Sequence, residues 1–278
     1  MTMENMRLAV LIDGDNAPRD CLKSIMEEIA IYGTPMIKRI YGDWASQGLT
    51  SWKNSLLENA VTPKQQFAYT TGKNATDSAM IIDAMDILYT GQVDGFVLVS
   101  SDSDFTRLAM RLREAGMRVL GMGEKKTPTP FIAACDRFIY LEILNAEKEE
   151  QKEEQRENKN EGRSARRRSR PKAAAVDNTA SESGEAERAK IGRVDASLIK
   201  LIASSVDDIA DENGWAFLGD VGNLIQKKQP SFDSRNYGYR KLTQLIQATG
   251  KFEIDQRETA NNHIKHVYIR QIGVTDVR

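Results

Sequence analysis

Short apolar runs that alternate with segments of helical periodicity constrain the fold of this chain most strongly. Residues 8–12 (Leu-Ala-Val-Leu-Ile) and 95–99 (Gly-Phe-Val-Leu-Val) contain no hydrogen-bonding side chain and are too short for buried helices. Such runs are typical of strands covered on both faces, as in a parallel sheet flanked by helices. Further strands are predicted near 36–41, 65–69, 118–121 and 138–141, with helices between them. This order predicts an α/β domain with an open parallel sheet over residues 5–145.

Composition excludes several classes of protein. The 278 residues, 40% hydrophobic and 28% charged, are typical of a folded chain with about two domains. No apolar run approaches the roughly 20 residues that span a bilayer, so we expect no membrane association and a cytoplasmic location. Two cysteines, Cys21 and Cys135, make no disulfide framework or metal-ligand cluster. The only histidines, His263 and His266, exclude a histidine-based triad within the first 260 residues.

The middle of the chain, residues 146–193, has a different composition from its flanks. It contains no aromatic residue, and a glutamate-rich half is followed by an arginine cluster between Arg163 and Lys172. Because this segment has too little apolar surface to offset the entropy of ordering, we predict a charged, disordered linker. Its arginines leave open both a soluble tether and an electrostatic contact with nucleic acid.

Acidic residues follow the predicted strands at the points where ligands bind open parallel sheets. Asp13 follows the first strand, Asp102 and Asp104 follow the strand ending at Val99, and Asp77 begins the next predicted helix along from the third strand. If the two strands are neighbours, these carboxylates converge at one edge. Oxygen ligands without histidine or cysteine select Mg²⁺ or Mn²⁺, which can activate water against a phosphate. The pattern therefore predicts a metal-dependent phosphodiester hydrolase.

Two other interpretations of these acids stay open. Aspartate is common at helix N-termini and turns, so capping alone explains Asp104 reasonably well. The pair Asp13 and Asp15 also resembles the nucleophile motif of haloacid-dehalogenase phosphatases, although Asn16 and Ala17 depart from that pattern.

Helical spacing selects Asp77 among the acids of its segment. A predicted buried stripe places Asp77 on the same face one turn earlier, and it places Asp83 and Asp86 at the surface. The residues of that stripe are Ile81, Ile82, Met85, Leu88 and Tyr89.

Three motifs together resemble the NYN domain of the PIN-like nucleases, in particular its bacterial LabA-like group. They are Leu11–Asn16, Lys73–Asp77 and Val99–Phe105, and the later 134–139 segment also matches the end of that family. The resemblance implies a PIN-like, Rossmann-like fold and metal-dependent endoribonuclease chemistry. By motif position, the catalytic and metal-binding acids would be Asp13, Asp77, Asp102 and Asp104, with Asn16 as an additional catalytic contact. Lys73 and Ser101 are candidate RNA contacts, although a solvated lysine and a local turn serine are the simpler interpretations.

The C-terminal segment, residues 194–274, is predicted to be a winged-helix-like α+β domain with three helices and a hairpin. Its motifs at 214–219, 230–233 and 237–242 resemble the LOTUS domain, also called OST-HTH. That resemblance implies binding to RNA or to a protein partner. Trp215, Phe217 and Tyr239 are predicted to be core residues. The candidate phosphate contacts are Lys227, Lys228, Arg235, Arg240 and Lys241.

The sequence thus predicts an RNA-cleaving nuclease with a C-terminal module that selects RNA or a partner. A non-catalytic RNA-binding regulator remains the principal alternative, and a homo-oligomer is compatible with the sequence.

Overall fold

A computed structural model describes residues 6–45, 52–67, 75–145, 192–258 and 265–273 of the chain. The first part forms one six-stranded parallel sheet in the order β3-β2-β1-β4-β5-β6. Strands β1 and β4 are central neighbours, and Ile12 of β1 lies opposite Val99 of β4. The strands are β1 (Arg7–Asp13), β2 (Thr34–Gly42), β3 (Thr62–Gln65), β4 (Gly95–Val99), β5 (Arg118–Gly123) and β6 (Arg137–Tyr140).

Helices cover both faces of this sheet. One hydrophobic cluster joins β1 and β4 to α1, and a second joins the opposite sheet face to α3, α4 and α5. Because both faces are covered, the central strands are almost entirely buried, as their apolar composition predicts. The helices are α1 (Leu22–Tyr32), α2 (Lys53–Glu58), α3 (Ala75–Thr90), α4 (Thr106–Glu114), α5 (Thr129–Ala134) and α6, described over residues 141–145.

The predicted open parallel sheet is confirmed, with local differences. Strand β3 spans Thr62–Gln65 rather than 65–69, and helix α5 was not predicted from the sequence. The buried side of α3 carries Met80, Ala84 and Ile87, while two residues of the predicted stripe, Ile82 and Tyr89, are 62% and 75% exposed. The other three residues of the stripe, Ile81, Met85 and Leu88, pack against the buried cluster as predicted. The prediction fails for Ile82 and Tyr89 because α3 is apolar on more than one side.

The second part of the chain forms a small α+β unit. Its three helices are α7 (Ala196–Asp207), α8 (Leu218–Lys228) and α9 (Leu242–Thr249). A three-stranded antiparallel sheet has the order β7-β9-β8, with β7 (Ala216–Phe217), β8 (Phe252–Glu258) and β9 (Lys265–Gln271). The helices and one face of the sheet enclose a separate hydrophobic core. This is the predicted arrangement of three helices and a hairpin. The predicted linker lies outside the described residues over 146–191.

An ionic network joins the two units. The guanidinium of Arg235, from the second unit, makes a bidentate ion pair with Glu28 on α1 at 2.7 and 2.9 Å. Asp233 pairs with the same guanidinium at 2.9 Å and with Arg137 of β6 at 3.3 Å. Glu28 and Asp233 are both buried. Such a network holds its geometry because a charge left unpaired at a buried position is costly.

The edge of the first sheet is part of the same contact. The N–H of Phe138 on edge strand β6 donates to the carbonyl oxygen of Pro230 in the second unit at 2.9 Å. The contact also places the Arg137 guanidinium carbon 4.9 Å from the centroid of the Tyr32 ring on α1. The second unit therefore covers part of an otherwise unpaired strand edge.

No helix in the described part of the chain has the length and apolar composition needed to cross a membrane.

Removing the charge of Glu28 tests this network. We expect Glu28→Gln to lower the free energy of unfolding by about 2 kcal/mol, because the Arg235 guanidinium loses the charge of its bidentate partner at a buried position. Glu27→Gln on the same helix is the control, since Glu27 is exposed and its 3.8 Å ion pair with Lys23 contributes little. Urea unfolding of the two variants measures both effects. Equal stability of the two variants would show that the network contributes nothing.

Candidate active site

The carboxyl ends of β1 and β4 bring two polar side chains into contact. Asp13 is the last residue of β1, and Ser100 directly follows β4. Because Ile12 and Val99 are paired in the sheet, the next residue of each strand emerges at the same edge. The Ser100 hydroxyl donates to Oδ2 of Asp13 at 2.8 Å. The register of two parallel strands thus determines the position of Asp13.

Asp13 is buried and held by three donors. Besides Ser100, the Asn16 side-chain amide donates to Oδ2 at 2.8 Å and the Asp15 backbone N–H donates to Oδ1 at 3.1 Å. Only 1% of Asp13 is exposed. Burial raises the pKa of its carboxyl, while the bonds from Asn16 and Ser100 oppose that rise. The donors therefore fix the carboxyl oxygens at a position that is unfavourable for negative charge.

Gly14 allows the chain to turn sharply after Asp13. Its N–H donates to the carbonyl oxygen of Tyr41 at 2.8 Å. A Cβ atom at this position would lie 2.7 Å from that carbonyl oxygen, which is closer than real Cβ contacts. Glycine is required here because the backbones of β1 and β2 approach each other too closely for a side chain.

Three further carboxylates form a cluster beside this edge. Oxygens of Asp77, Asp102 and Asp104 all lie within 4.8 Å of one another. Asp77 comes from the first turn of α3, and the other two come from the loop after β4. Oδ1 of Asp102 also accepts the backbone N–H of Asp104 at 2.9 Å, so it caps the short 3₁₀ turn Ser103–Phe105. Capping therefore explains part of the role of Asp102. It does not explain why the Asp77 carboxylate lies close to those of Asp102 and Asp104.

The burial and negative charge of the cluster raise the pKa of Asp77. Burial first, and then the nearby charges of Asp13, Asp102 and Asp104, together raise this pKa to about 6. Like charges that lie close together disfavour the ionised form of Asp77. Coulombic coupling between Asp77 and Asp13 places all four carboxyls in one electrostatic site.

The donor set fits a hard divalent cation. All of its donors are carboxylate oxygens from Asp77, Asp102 and Asp104, two of them half-buried and one exposed. Mg²⁺ and Mn²⁺ prefer such ligands, and a cation would relieve the repulsion that raises the pKa of Asp77.

A second contact, which sequence reasoning missed, anchors α3 to the sheet. Asp83 accepts hydrogen bonds from Arg39, at 2.5 Å, and from the Tyr41 hydroxyl, both on β2. Asp83 was predicted to be a surface residue, and that prediction is wrong because β2 supplies two donors facing this side of α3. These bonds sit two turns along the helix from Asp77. They hold α3 close to the sheet edge that carries Asp13, and no sequence motif marks them.

Lys73 and Ser101 are the predicted RNA contacts of the first unit, and the structure describes only Ser101. Lys73 lies outside the described residues. Ser101 is buried, and its hydroxyl oxygen accepts the backbone N–H of Glu124 at 2.8 Å. In this structure Ser101 therefore connects the β4 and β5 loops.

The predicted phosphate contacts of the second unit are only partly available. Arg235, a predicted phosphate contact, instead pairs with Glu28 in the ionic network, so its guanidinium is already engaged by a carboxylate. Lys228 donates to Asp208 at 2.7 Å and to the Ser204 hydroxyl at 3.1 Å. Lys227, Lys228, Arg240 and Lys241 are all exposed at the surface.

Both folded units of the chain match known protein families. A parallel six-stranded sheet with carboxylates at its carboxyl edge is the PIN-like α/β arrangement. Residues 7–142 match the NYN domain, and residues 190–264 match the OST-HTH/LOTUS domain. The chain therefore contains an NYN domain of the PIN-like nuclease family followed by an OST-HTH/LOTUS domain, which confirms the prediction from its motifs.

A curated protein of similar sequence is described only as uncharacterized. An uncharacterized protein of Methanocaldococcus jannaschii is 28% identical over 121 residues, which are 42% of this chain and 47% of that protein. The chain thus spans about half the length of this curated relative. It brings no substrate or partner to the interpretation.

Three solved structures are also similar. A crystal structure of a protein of unknown function from Vibrio parahaemolyticus is 19% identical, covering 50% of this chain and 94% of that one at a TM-score of 0.41. A solution structure of an uncharacterized Nitrosomonas europaea protein is 32% identical, covering 36% and 91% at a TM-score of 0.28. A solution structure of a Chromobacterium violaceum protein is 31% identical, and the match covers 27% of this chain and 78% of that one at a TM-score of 0.23. At these TM-scores they add nothing to the assignment.

The raised pKa of Asp77 leads to a stability prediction. Its rise from the ordinary 3.8 to about 6 means that the folded state binds this proton more tightly, so the site loses stability as pH rises through that window. We expect Asp77→Asn without divalent metal to be more stable than wild type at about pH 7.5, by roughly 1 kcal/mol for a half-exposed group. The difference should vanish near about pH 4.

Thermal unfolding in EDTA at both pH values measures this difference. Asp86→Asn is the matched control, because Asp86 is exposed on the same helix. A gain in Asp77→Asn that does not change with pH, or a loss of stability above pH 7, would refute the proposed repulsion.

Proposed function

We propose that this protein is a metal-dependent endoribonuclease, with Mg²⁺ or Mn²⁺ held by the aspartates at the carboxyl edge of the sheet. The observation that carries the proposal is the convergence of Asp77, Asp102 and Asp104 within 4.8 Å beside buried Asp13. Membership of the PIN-like nuclease family and the OST-HTH/LOTUS domain support RNA as the substrate.

The roles of the individual side chains follow from their contacts. Asp77, Asp102 and Asp104 would hold the cation, and Asp13 would complete the negative site from its buried position. When bound, a divalent cation activates water and stabilises the charge that develops on an attacked phosphate. Asn16 and Ser100 orient Asp13 by donating to the same carboxyl oxygen, so their loss would displace it.

RNA contacts outside the carboxylates are also part of the proposal. Lys73 lies four residues before Asp77 in the chain, so we propose it as a contact to the RNA backbone. Ser101 would act through the loop that it connects to Glu124 rather than through a free hydroxyl. In the second domain, Lys227, Lys228, Arg240 and Lys241 remain proposed phosphate contacts, and Arg235 does not.

The phosphatase alternative fits these contacts less well. A phosphorylated nucleophile needs an accessible carboxyl oxygen, whereas Asp13 is 1% exposed and both of its oxygens accept hydrogen bonds. A phosphatase would hydrolyse small phosphomonoesters and leave RNA intact. The non-catalytic RNA-binding regulator differs from the nuclease only in turnover, so cleavage itself separates these two.

Cleavage of end-labelled single-stranded RNA by purified protein tests the nuclease. We expect activity with Mn²⁺ and none with EDTA. Asp102→Asn should lower the rate by more than the roughly 100-fold that loss of an outer-shell partner costs, because a ligand itself is removed. Binding to RNA should be retained.

The control is Asp86→Asn, which removes an equal charge from an exposed position on α3. It should cleave like wild type. Activity that survives EDTA, or an Asp102→Asn protein as active as the control, would overturn the site assignment. A wild-type protein that binds RNA with Mn²⁺ but never cleaves it would favour the regulator.

A further inference from the structure

The outer face of the second sheet carries aromatic and arginine side chains that its core does not use. The side chain of Ile269 on strand β9 lies in the hydrophobic core. Because successive side chains of a strand point to opposite faces, His266, Tyr268 and Arg270 lie on the other face of the sheet. Phe217 of β7 is paired with Tyr268 and lies on the same face. Trp215 and Phe217 were predicted to be core residues, and this is wrong because neither belongs to the buried core.

These side chains form a continuous layer of flat groups. The guanidinium carbon of Arg257 lies 4.3 Å from the centroid of the Tyr268 ring and 5.4 Å from that of Trp215. The guanidinium carbon of Arg270 lies 4.8 Å from the Trp215 centroid. The Phe217 centroid is 5.7 Å from that of Tyr268 and 5.3 Å from that of His266. We call this set the stacking face: Trp215, Phe217, Arg257, His266, Tyr268 and Arg270.

The stacking face is accessible and its backbone is braced. Each of its six side chains is at least partly exposed. The N–H of Trp215 donates to Oδ1 of Asp211 at 2.9 Å, and its carbonyl oxygen accepts from the Asp211 N–H at 2.8 Å. A surface that is already ordered loses less conformational entropy when a ligand binds.

The ion pairs of the two arginines are weak enough to be exchanged. Arg257 pairs with Asp255 at 2.8 Å, and Arg270 pairs with Glu253 at 2.6 Å. The two arginine side chains are 44% and 38% exposed, and exposed pairs of this kind contribute little free energy. A phosphate group can therefore compete with each carboxylate for the guanidinium, while the guanidinium plane remains available for stacking.

We propose that the stacking face binds unpaired RNA by stacking of successive bases on its aromatic and guanidinium groups. Aromatic rings stack on any base, and arginine adds both a flat face and a positive charge. Bases within a duplex are already stacked on each other, so single strands are preferred. This inference rests on the proposed function for its substrate class, and it places the principal RNA contact on the sheet rather than on the lysines of α8.

Two properties distinguish stacking from a purely electrostatic contact. Tyr268→Leu should weaken binding of a single-stranded oligonucleotide about tenfold, and Arg257→Lys should weaken it severalfold although the charge is retained. Arg257 and Arg270 would contribute only about −1.4 to the slope of log affinity against log salt, beside the contribution of the other basic residues proposed above.

Fluorescence anisotropy of the full chain with labelled oligouridine in EDTA measures both properties without cleavage. A duplex of mixed sequence is the competitor, and it should bind more weakly than the single strand. Tyr89→Leu is the matched control, because Tyr89 is an exposed aromatic residue on α3, outside this face. It should bind like wild type. Circular dichroism confirms that each variant is folded, and Arg257→Lys changes only an exposed side chain.

Each result separates this inference from its alternatives. Wild-type affinity in both Tyr268→Leu and Arg257→Lys would overturn the inference, as would equal affinity for the duplex. If the two variants changed the oligomeric state instead of RNA binding, the face would be a protein interface and the inference would fail. Loss of RNA binding in Tyr268→Leu would support the stacking face. If neither the wild type nor any variant cleaved RNA in Mn²⁺, the proposed nuclease would be refuted while the stacking face was retained.

Discussion

Repulsion between carboxylates at the carboxyl edge of the first sheet is the interaction on which the interpretation of this protein depends. The sheet brings Asp13 to that edge, α3 brings Asp77, and the loop after β4 brings Asp102. Burial raises the pKa of Asp77, and the nearby carboxylates raise it in the same direction, to about 6 in all. A fold keeps such a cluster only because hydrophobic burial on both sheet faces supplies far more free energy than the repulsion costs.

The contacts that support the cluster come from parts of the chain that are distant in sequence. Pairing of β1 with β4 aligns Asp13 with Ser100, and the bonds of Asp83 with β2 hold α3 in place. These contacts restrict how far the carboxylates can move apart. The same restriction would let the site receive a cation without rearrangement, which is the form of preorganisation that phosphoryl chemistry requires.

The second domain packs against the first, and it also carries exposed basic and aromatic side chains. Its ionic contact through Arg235 joins it to α1 and covers the edge of β6. One basic residue is thereby used for docking, and the lysine at 228 is used within the domain. The aromatic and arginine side chains on the outer sheet face remain at least partly exposed, and Lys227, Arg240 and Lys241 are exposed as well.

The sequence predicts the α/β architecture and the acidic motifs because these depend on local patterns. Apolar runs such as 95–99 identify central strands directly, and acids that follow strands must appear at one edge of a parallel sheet. The phase of α3, the role of Asp83 and the ion pair of Glu28 with Arg235 could not be predicted. They depend on tertiary neighbours, and the Glu28–Arg235 pair is 207 residues apart in the chain. The domain limits 5–145, 146–193 and 194–274 and the individual site roles stay predictions.

A crystal structure determined with Mn²⁺ tests the central claim most directly, by anomalous scattering from the ion. The interpretation requires an anomalous peak within coordination distance of Asp77 and Asp102, and its loss in Asp77→Asn crystals grown under the same conditions. A map with Mn²⁺ bound elsewhere, or with no ion beside these carboxylates at saturating concentration, would contradict it.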